Sequence, residues 1–564
     1  MSSTKSRRFG VRFDASGRPW YSYVRCASQQ QSVTAFSSQD DAYDLAVIGG
    51  GIMGAWVAND AAHRGLRVIL LEQDDLAGGT SSRTSKLIHG GLRYLEQFAF
   101  RLVAESERER SVWLRIAPHL VRPLPFLLPL YRRASRPPWM VRLGMTLYDA
   151  LSLYRNVEPH RMLSAAEAQG LEPALQGTEL TGAAHFYDAQ MDDARTCLEV
   201  ALSARAAGAR LETSARVDGL IRKDGLVSGV RVGDRDISAR VVVNAAGPWL
   251  DRVSAMGGGP AHRIRMTRGA HLVVRPLLRT HALVLSATRD GRVFFVIPWR
   301  GLTLIGTTDL DYEGDPAAVT CSEEERRYLL EETQRAVPSV RITDRDVVAE
   351  FAGVRPLVFE AGRSASAVGR EDVIAEETNG VIAIAGGKFT TGRAVAERVV
   401  DRVAARLNRG DVPRCRTATT PLIGGHPIPV EERHAWQAQA QSLGLDGTQF
   451  DALIAMYGSR CDELMALIAK RGLGGRLHPE LPWVGAQVDF AVEQELARSV
   501  DDVLRRRLPI ALGPYRHDES IIRNVAERMG ALLNWDAATR DDHIARYTSP
   551  SSTIPTRARG GTRR

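Results

Sequence analysis

Gly49, Gly51 and Gly54 spell GxGxxG directly after the apolar run Asp44-Leu45-Ala46-Val47-Ile48. The first glycine permits a tight turn, the second lets backbone approach a pyrophosphate, and the third lets the next helix pack closely on the strand. Glu72 closes a second apolar run, Arg67-Val68-Ile69-Leu70-Leu71, where a carboxylate can accept from a ribose 2′-hydroxyl. A loop of small hydroxyl residues follows, Gly78-Gly79-Thr80-Ser81-Ser82-Arg83-Thr84-Ser85-Lys86, of the kind that lies along a cofactor. A further strand ending in Asn244-Ala245-Ala246-Gly247-Pro248-Trp249 would close the site from its other side. Glycines alone are weak evidence; strand, helix and terminal carboxylate in register with them predict a dinucleotide site.

The positioning elements follow from the same stretch. A helix is expected from 52 to 64, with Gly65 ending it as a cap, so that residues 44–72 form one βαβ unit. Further strands of that sheet are expected at 241–244 and 381–385. Segments near 185–190 and 270–310 alternate apolar and polar residues like antiparallel strands. From about 421 to 547 the pattern turns helical, for example at 450–457, 462–470 and 490–507.

A chain of 564 residues is too long for one core, so two or three domains are expected. Apolar residues make up 44% and charged residues 25%, as in an ordinary globular protein. The net charge of +8 favours anionic partners: a phosphorylated substrate, acidic lipid or nucleic acid. Cys26, Cys197, Cys321, Cys415 and Cys461 form no CxxC pair, which argues against a disulfide framework or a zinc site, so no metal is expected. Arg7-Arg8 is followed by no apolar core, and no apolar run approaches the ~18–20 residues of a membrane span. These features predict an intracellular chain. Two of its five lysines, Lys86 and Lys388, lie inside the most unusual motifs.

Those motifs resemble a known family. Residues 81–96, SSRTSKLIHGGLRYLE, look like the signature of FAD-dependent glycerol-3-phosphate dehydrogenases. So do Ala117-Pro118-His119-Leu120, Met191-Asp192-Asp193-Ala194-Arg195, Phe295-Val296-Ile297-Pro298-Trp299, Gly306-Thr307-Thr308-Asp309, Gly353-Val354-Arg355-Pro356-Leu357 and Gly386-Gly387-Lys388-Phe389-Thr390-Thr391. The blocks occur in family order from about 43 to 400, and the helical tail is similar more loosely. No calcium-binding loop is present, so the chain resembles the bacterial aerobic, quinone-linked branch. One departure stands out: where the family has tyrosine after the second threonine, this chain has Gly392.

The resemblance implies an α/β fold: a Rossmann-like FAD-binding domain, an antiparallel-sheet substrate domain and a C-terminal helical domain. The expected boundaries are 42–110, 190–260 and 345–410 for the discontinuous FAD-binding domain, 111–189 and 261–344 for the substrate or cap domain, and 415–547 for the helices. Residues 1–41 and 548–564 are polar and are expected to lack regular structure. The cofactor set is Gly49, Gly51, Gly54, Glu72, Thr80, Ser81, Ser82, Lys86, Leu87, His89, Ala246, Gly247, Gly387, Lys388 and Thr390. FAD is expected to be held noncovalently.

The implied reaction is oxidation of sn-glycerol 3-phosphate to dihydroxyacetone phosphate, with hydride passing to FAD and electrons then to membrane quinone. It requires cations for the phosphate and a base for the hydroxyl proton. The resemblance points to Arg93, Tyr94, Arg355, Arg370 and Lys388 around the substrate, with His271 as preferred base and Arg355 and Lys388 also catalytic. Each has a bland alternative, a solvated arginine or a satisfied structural histidine. Asp192 and Asp193 read as helix caps.

Between 111 and 148 lie six arginines and no acid, interleaved with Trp113, Phe126, Tyr131, Trp139 and the apolar stretch 124–130. That composition suits either a buried segment or an interfacial anchor on anionic lipid; the family's use of quinone favours peripheral attachment to the inner face of the cell membrane. Two other functions stay open: a glycerol-3-phosphate oxidase using oxygen, and a flavin-containing RNA-binding protein. The second would need a basic groove with stacking aromatics, whereas here the aromatics coincide with the apolar segment, so no nucleic acid is expected. A homodimer is compatible with the sequence.

Overall fold

The computed structural model describes residues 12–13, 19–20, 42–96, 98–132, 137–152, 157–176, 179–260, 263–359 and 371–549, with Arg12, Phe13, Pro19, Trp20 and Arg93 described in their backbone alone. Met1–Asp41 and Ala42–Arg564 are separate units. In the first, Arg12–Phe13 pairs antiparallel with Pro19–Trp20. Regular structure was not expected there; Phe13 and Trp20 favour extended backbone enough for a minimal ladder. The expected tail, 548–564, lies outside the described residues from 550 onward.

The second unit is built on two sheets. One contains five parallel strands in the order Ile382–Gly386, Arg235–Asn244, Tyr43–Ile48, Val68–Leu71 and Arg210–Glu212. Tyr43–Ile48 is central, and its residues alternate between two cores. Leu45 and Val47 pack with the helices Ile52–His63, Asp193–Ala206 and Gly392–Leu407, while Ala46 and Ile48 pack beneath the hairpin of Gly219–Lys223 and Leu226–Val232. Both faces are covered, so the strand reads as a continuous apolar run. Gly65 follows the first helix at φ +77°, the left-handed turn that glycine takes without strain.

The other sheet is mostly antiparallel. It runs from Leu310–Asp311 through Ile264–Val274, Leu302–Gly306, Val293–Trp299, Ala282–Ser286, Val121–Tyr131 and Leu180–Met191 to Leu87–Ile88. One face is covered by the helix Glu323–Ala336, and the other joins the C-terminal helices in a continuous apolar cluster. Val347–Val358, grouped by sequence with the FAD-binding segments 345–410, instead pairs antiparallel with Ile264–Val274, in the register His271↔Phe351, Gly269↔Gly353 and Thr267↔Arg355. Side-chain periodicity identifies a strand but not the sheet edge that receives it.

The C-terminal helices include Gly447–Tyr457 and Cys461–Arg471. The single helix expected over 490–507 is two. Gly485–Gln494 ends, Leu496 takes φ +61°, and the chain restarts at Ser499 to form Val500–Asp502 and the wide turn Val503–Arg507. Ser499 Oγ accepts from Asp502 N at 3.1 Å while the Asp502 carboxylate accepts from Ser499 N at 2.9 Å. This reciprocal cap competes locally with helix continuation.

Candidate functional site

The cofactor cleft begins at the C-terminal edge of the parallel strands. Gly49 turns at φ +109°, and a Cβ there would lie 2.7 Å from the Ala245 carbonyl oxygen. A Cβ on Gly54 would fall into the carbonyl oxygen of Gly49. The glycines therefore do what their spacing predicts: one turns, one leaves room, one packs. The first helical turn, Gly51, Ile52 and Met53, lines a cleft of about 750 Å³. Its amide groups and dipole suit a phosphate. Ser81 Oγ accepts from Ile52 N at 2.9 Å, so this hydroxyl caps the helix that carries the phosphate-facing amides.

Glu72 lines the same cleft. Its carboxylate accepts from Gly50 N at 2.6 Å and Asp74 N at 3.0 Å, which ties the strand end to the glycine turn. Burial pushes its pKa up to about 7 against those two amides. Ala246, Gly247 and Gly387 complete the walls; a Cβ on Gly387 would press on the flexible end of Met53. A helix start bordering the cleft, a glycine cradle and a terminal carboxylate are the set of groups a dinucleotide needs, and FAD fits it.

A second cavity of about 760 Å³ opens from the first; Thr80, Arg83, Gly387 and Lys388 line both. Arg355 enters it across the Gly269–Gly353 register. The guanidinium donates to Thr307 Oγ1 at 2.8 Å, Thr308 O at 3.2 Å and Asp309 Oδ1 at 3.2 Å, and it lies directly over the bare Cα of Gly269. Lys388 Nζ donates to Ser106 Oγ at 3.2 Å and sits 3.9 Å from the centroid of the buried Tyr94 ring. Cation and ring attract each other there.

His271 forms another wall of this cavity. Its ring stacks on Phe351, its partner in register, at 4.9 Å and 10°, and its Nε2 is 2.8 Å from Ser85 Oγ. Gly306 faces the ring so closely that a Cβ would collide with it. Burial above all, then the charges of Arg355 and Lys86, hold its pKa well below 6.5, so the imidazole is neutral and able to accept a proton.

Beneath the cavity the turn Gly90–Gly91 rests on a buried polar cluster. Asp188 accepts from Gly90 N at 3.2 Å, from Arg110 at 2.6 Å and from the Tyr148 hydroxyl at 3.2 Å, while Glu107 pairs with the same arginine. Two carboxyls share one guanidinium. Burial raises both above the usual carboxylate range, against the pull of Arg110.

The residues named from sequence divide accordingly. Tyr94, Arg355, Lys388, His271, Leu87, His89 and Thr390 border the second cavity, with Thr390 Oγ1 accepting from His89 N at 3.4 Å. Lys86 borders neither cavity: its ammonium is buried against Asp193 and donates to Ser82 O at 2.8 Å. Asp193, read as a helix cap, also accepts from Thr84 N at 2.9 Å, so this pair pins the hydroxyl loop. Asp192 does cap, accepting from Arg195 N at 3.2 Å. Ser82 likewise borders neither cavity, its hydroxyl turned to Gly79 O at 3.4 Å. The Arg93 side chain and Arg370 lie outside the described residues.

Sequence reasoning passed over Arg83 and Ser85, although both stand inside the quoted 81–96 block, and over the Glu107–Arg110–Asp188 cluster, whose only local trace is the i, i+3 pair on one helix. Of the segment 111–148, read as either buried or interfacial, the strongly apolar stretch is buried. Leu124, Phe126, Leu127 and Leu130 are buried in the strand Val121–Tyr131, and Trp113 is wholly buried, donating to Thr390 O at 3.0 Å. An eleven-residue strand in mid-sheet needs apolar side chains on its covered faces. The exposed large apolar residues of that segment are Trp139, Met140 and Leu143 on the helix Pro138–Leu151; Met140 and Leu143, with the exposed Phe98 and Phe100, line the second cavity. Gly392 opens the helix Gly392–Leu407, and a Cβ there would meet Trp56 at 3.3 Å and Ile52 at 3.4 Å.

Comparison with known proteins agrees with this geometry. Residues 44–402 match the family described as FAD dependent oxidoreductase, and residues 415–540 the C-terminal domain of alpha-glycerophosphate oxidase. A glycerol-3-phosphate dehydrogenase of Synechocystis is 39% identical over 534 residues, covering 90% of this chain and 96% of its own. An aerobic glycerol-3-phosphate dehydrogenase of Staphylococcus aureus is 35% identical over 490 residues, covering 83% and 87%. The solved structure of a glycerol-3-phosphate dehydrogenase from Bacillus halodurans complexed with FAD superposes with a TM-score of 0.73 at 30% identity, covering 91% of this chain and 96% of that one.

Proposed function

Because the chain belongs to the FAD-dependent glycerol-3-phosphate dehydrogenase family and FAD is its cofactor, we propose that it oxidises sn-glycerol 3-phosphate to dihydroxyacetone phosphate and delivers the electrons to membrane quinone. The observation that carries this reading is the junction of the two cavities, where Arg355, Lys388 and His271 surround the space adjoining the cofactor cleft.

Arg355, held by Thr307, Thr308 and Asp309, meets the phosphate with a fixed planar fork. Lys388 steadies negative charge developing on the substrate oxygen, and Tyr94 and Ser106 fix its ammonium. Neutral His271 takes the hydroxyl proton, its ring set by Phe351 and Ser85. Bound FAD supplies the two-electron acceptor for the hydride that leaves carbon. Arg93 and Arg370 are proposed as further substrate cations on the family pattern alone.

Among the described residues no helix is long and apolar enough to cross a membrane. Peripheral attachment on the inner face of the cell membrane is supported by Trp139, Leu143 and Phe98, which are 67%, 62% and 78% exposed around the cavity rim. Aromatic and aliphatic side chains in that position suit insertion to headgroup depth beside a route to an apolar acceptor.

Anaerobic bleaching of the flavin spectrum by glycerol 3-phosphate, with glycerol as control, tests the substrate. Re-oxidation by a quinone without peroxide supports the dehydrogenase; rapid re-oxidation by oxygen with peroxide release supports an oxidase. Co-sedimentation with anionic vesicles, lost in Trp139→Asp and Leu143→Asp, tests the membrane surface.

A further inference from the structure

The strand end that carries Glu72 runs into a turn in which Asp75 is buried. That turn is bound to the glycine cradle, since Ala77 N donates to Gly50 O at 3.0 Å. Asp75 is bound to a different part of the chain. Arg507 grips both carboxylate oxygens, with Nη2 at 2.8 Å from Oδ1, and the same Nη2 donates to Glu495 O at 2.5 Å. Arg506 adds its Nε to Asp75 and its Nη2 to Asp502 at 2.5 Å. Both arginines come from the wide turn Val503–Arg507 of the C-terminal helices, which the reciprocal Ser499–Asp502 cap holds in place.

The same helices also wall the cofactor cleft. Arg498, Arg506, His543 and Arg546 line it together with Glu72. Arg83, which lines both cavities, stands beside them; burial first, and then Arg506 and Arg505 beside it, push its pKa down to about 10, which leaves it charged at neutral pH. Arg506 is paired with Asp75 and Asp502, and Arg546 with Asp542. Arg83 and Arg498 donate to the backbone carbonyls of Gly78 and Val492. These last two cations suit an anionic occupant, and the pyrophosphate of FAD supplies one.

We propose that the C-terminal helical domain is part of the FAD site, and that the grip of Arg506 and Arg507 on Asp75 is the latch that sets how fast the cofactor leaves. Departure along the cleft requires the wall formed by Arg498, His543 and Arg546 to swing away. That wall is tied through Asp75 to the turn that presents Glu72. Arg507 is thus a positioning residue for the cofactor, acting through the turn at 72–79.

The test is FAD release from the purified full-length holoenzyme. The holoenzyme is diluted into buffer containing an excess of an FAD-scavenging apoflavoprotein, and release is followed as the activity that the scavenger regains. No substrate is present, so the outcome is independent of which alcohol the enzyme oxidises. Asp75→Asn and Arg507→Met are expected to release FAD at least ~10-fold faster than wild type, because truncating one partner of a buried charge pair acts mainly on dissociation. Arg546→Glu changes an exposed side chain whose ion pair with Asp542, one turn back on the same helix, contributes little to folding; it is expected to release FAD several-fold faster, with a shallower dependence on salt. Wild-type release from Arg546→Glu overturns the proposal that the domain walls the cofactor. Wild-type release from a folded Asp75→Asn or Arg507→Met overturns the latch. Should both latch variants fail to fold, the release rate of Arg546→Glu decides alone.

Discussion

Gly269→Ala moves Arg355, the cation proposed to meet the phosphate, without deleting it. Gly269 lies in the strand Ile264–Val274 with no positive φ, so alanine is acceptable to its backbone. Its Cβ would lie 2.1 Å from Nη2 of Arg355, whereas ordinary van der Waals contact begins at 3.4 Å, so the guanidinium must retreat by about 1.3 Å. The obstacle is the end of a long side chain held by Thr307, Thr308 and Asp309, and loosening those contacts should cost folding about 1 kcal/mol. Binding should suffer far more. A hydrogen bond to a charged group contributes about 1.5–3 kcal/mol, which is roughly 10- to 150-fold in an equilibrium constant. Anaerobic titration of the flavin absorbance with glycerol 3-phosphate should show that loss in apparent affinity, while Tm stays near wild type. Plain glycerol, which lacks the phosphate, should be no worse a ligand than before. Wild-type affinity for glycerol 3-phosphate in Gly269→Ala would refute the assignment of Arg355 to the phosphate.

Gly54→Ala should yield protein with little flavin, read as a fall in the 450/280 nm absorbance ratio, because its Cβ has no room beside Gly49 O. Replacing His271 tests its neutral state. The folded protein holds this ring below 6.5, so the unfolded chain takes up a proton first and wild-type stability drains as pH falls below 6.5. The decline of Tm between pH 7 and 5 should therefore be shallower in His271→Gln, and an equal or steeper decline would refute the depressed pKa. Gly392→Tyr, which restores the family residue, must displace the fully buried Trp56 and should lower stability by about 1–3 kcal/mol by overpacking. Gly392→Ala, whose Cβ meets Trp56 only at 3.3 Å, should be close to wild type in denaturant titration.

The dinucleotide site was legible because its determinants are local. Glycines at 49, 51 and 54 dictate where backbone turns and where a helix packs, and Glu72 is one strand away. Alternation and helical spacing likewise located the strands at 241–244 and 381–385 and the helices at 52–64, 450–457 and 462–470. Other features depended on partners distant in the chain. The apolar stretch 124–130 looks the same in sequence whether it meets lipid or the strand Leu180–Met191, and pairing in mid-sheet decided for burial. Lys86 carries the charge of a cofactor ligand, but Asp193 lies 107 residues on and neutralises it. The exposed apolar rim comes from two separate stretches, at 98–100 and 139–143, that only folding brings together. Arg506 and Arg507 meet Asp75 across more than 430 residues, a contact no periodicity records. Sequence by itself determined what the local backbone can do and which chemistries the residues offer. Tertiary structure decided which of those groups are desolvated together, because burial and charge pairing are properties of neighbours in space.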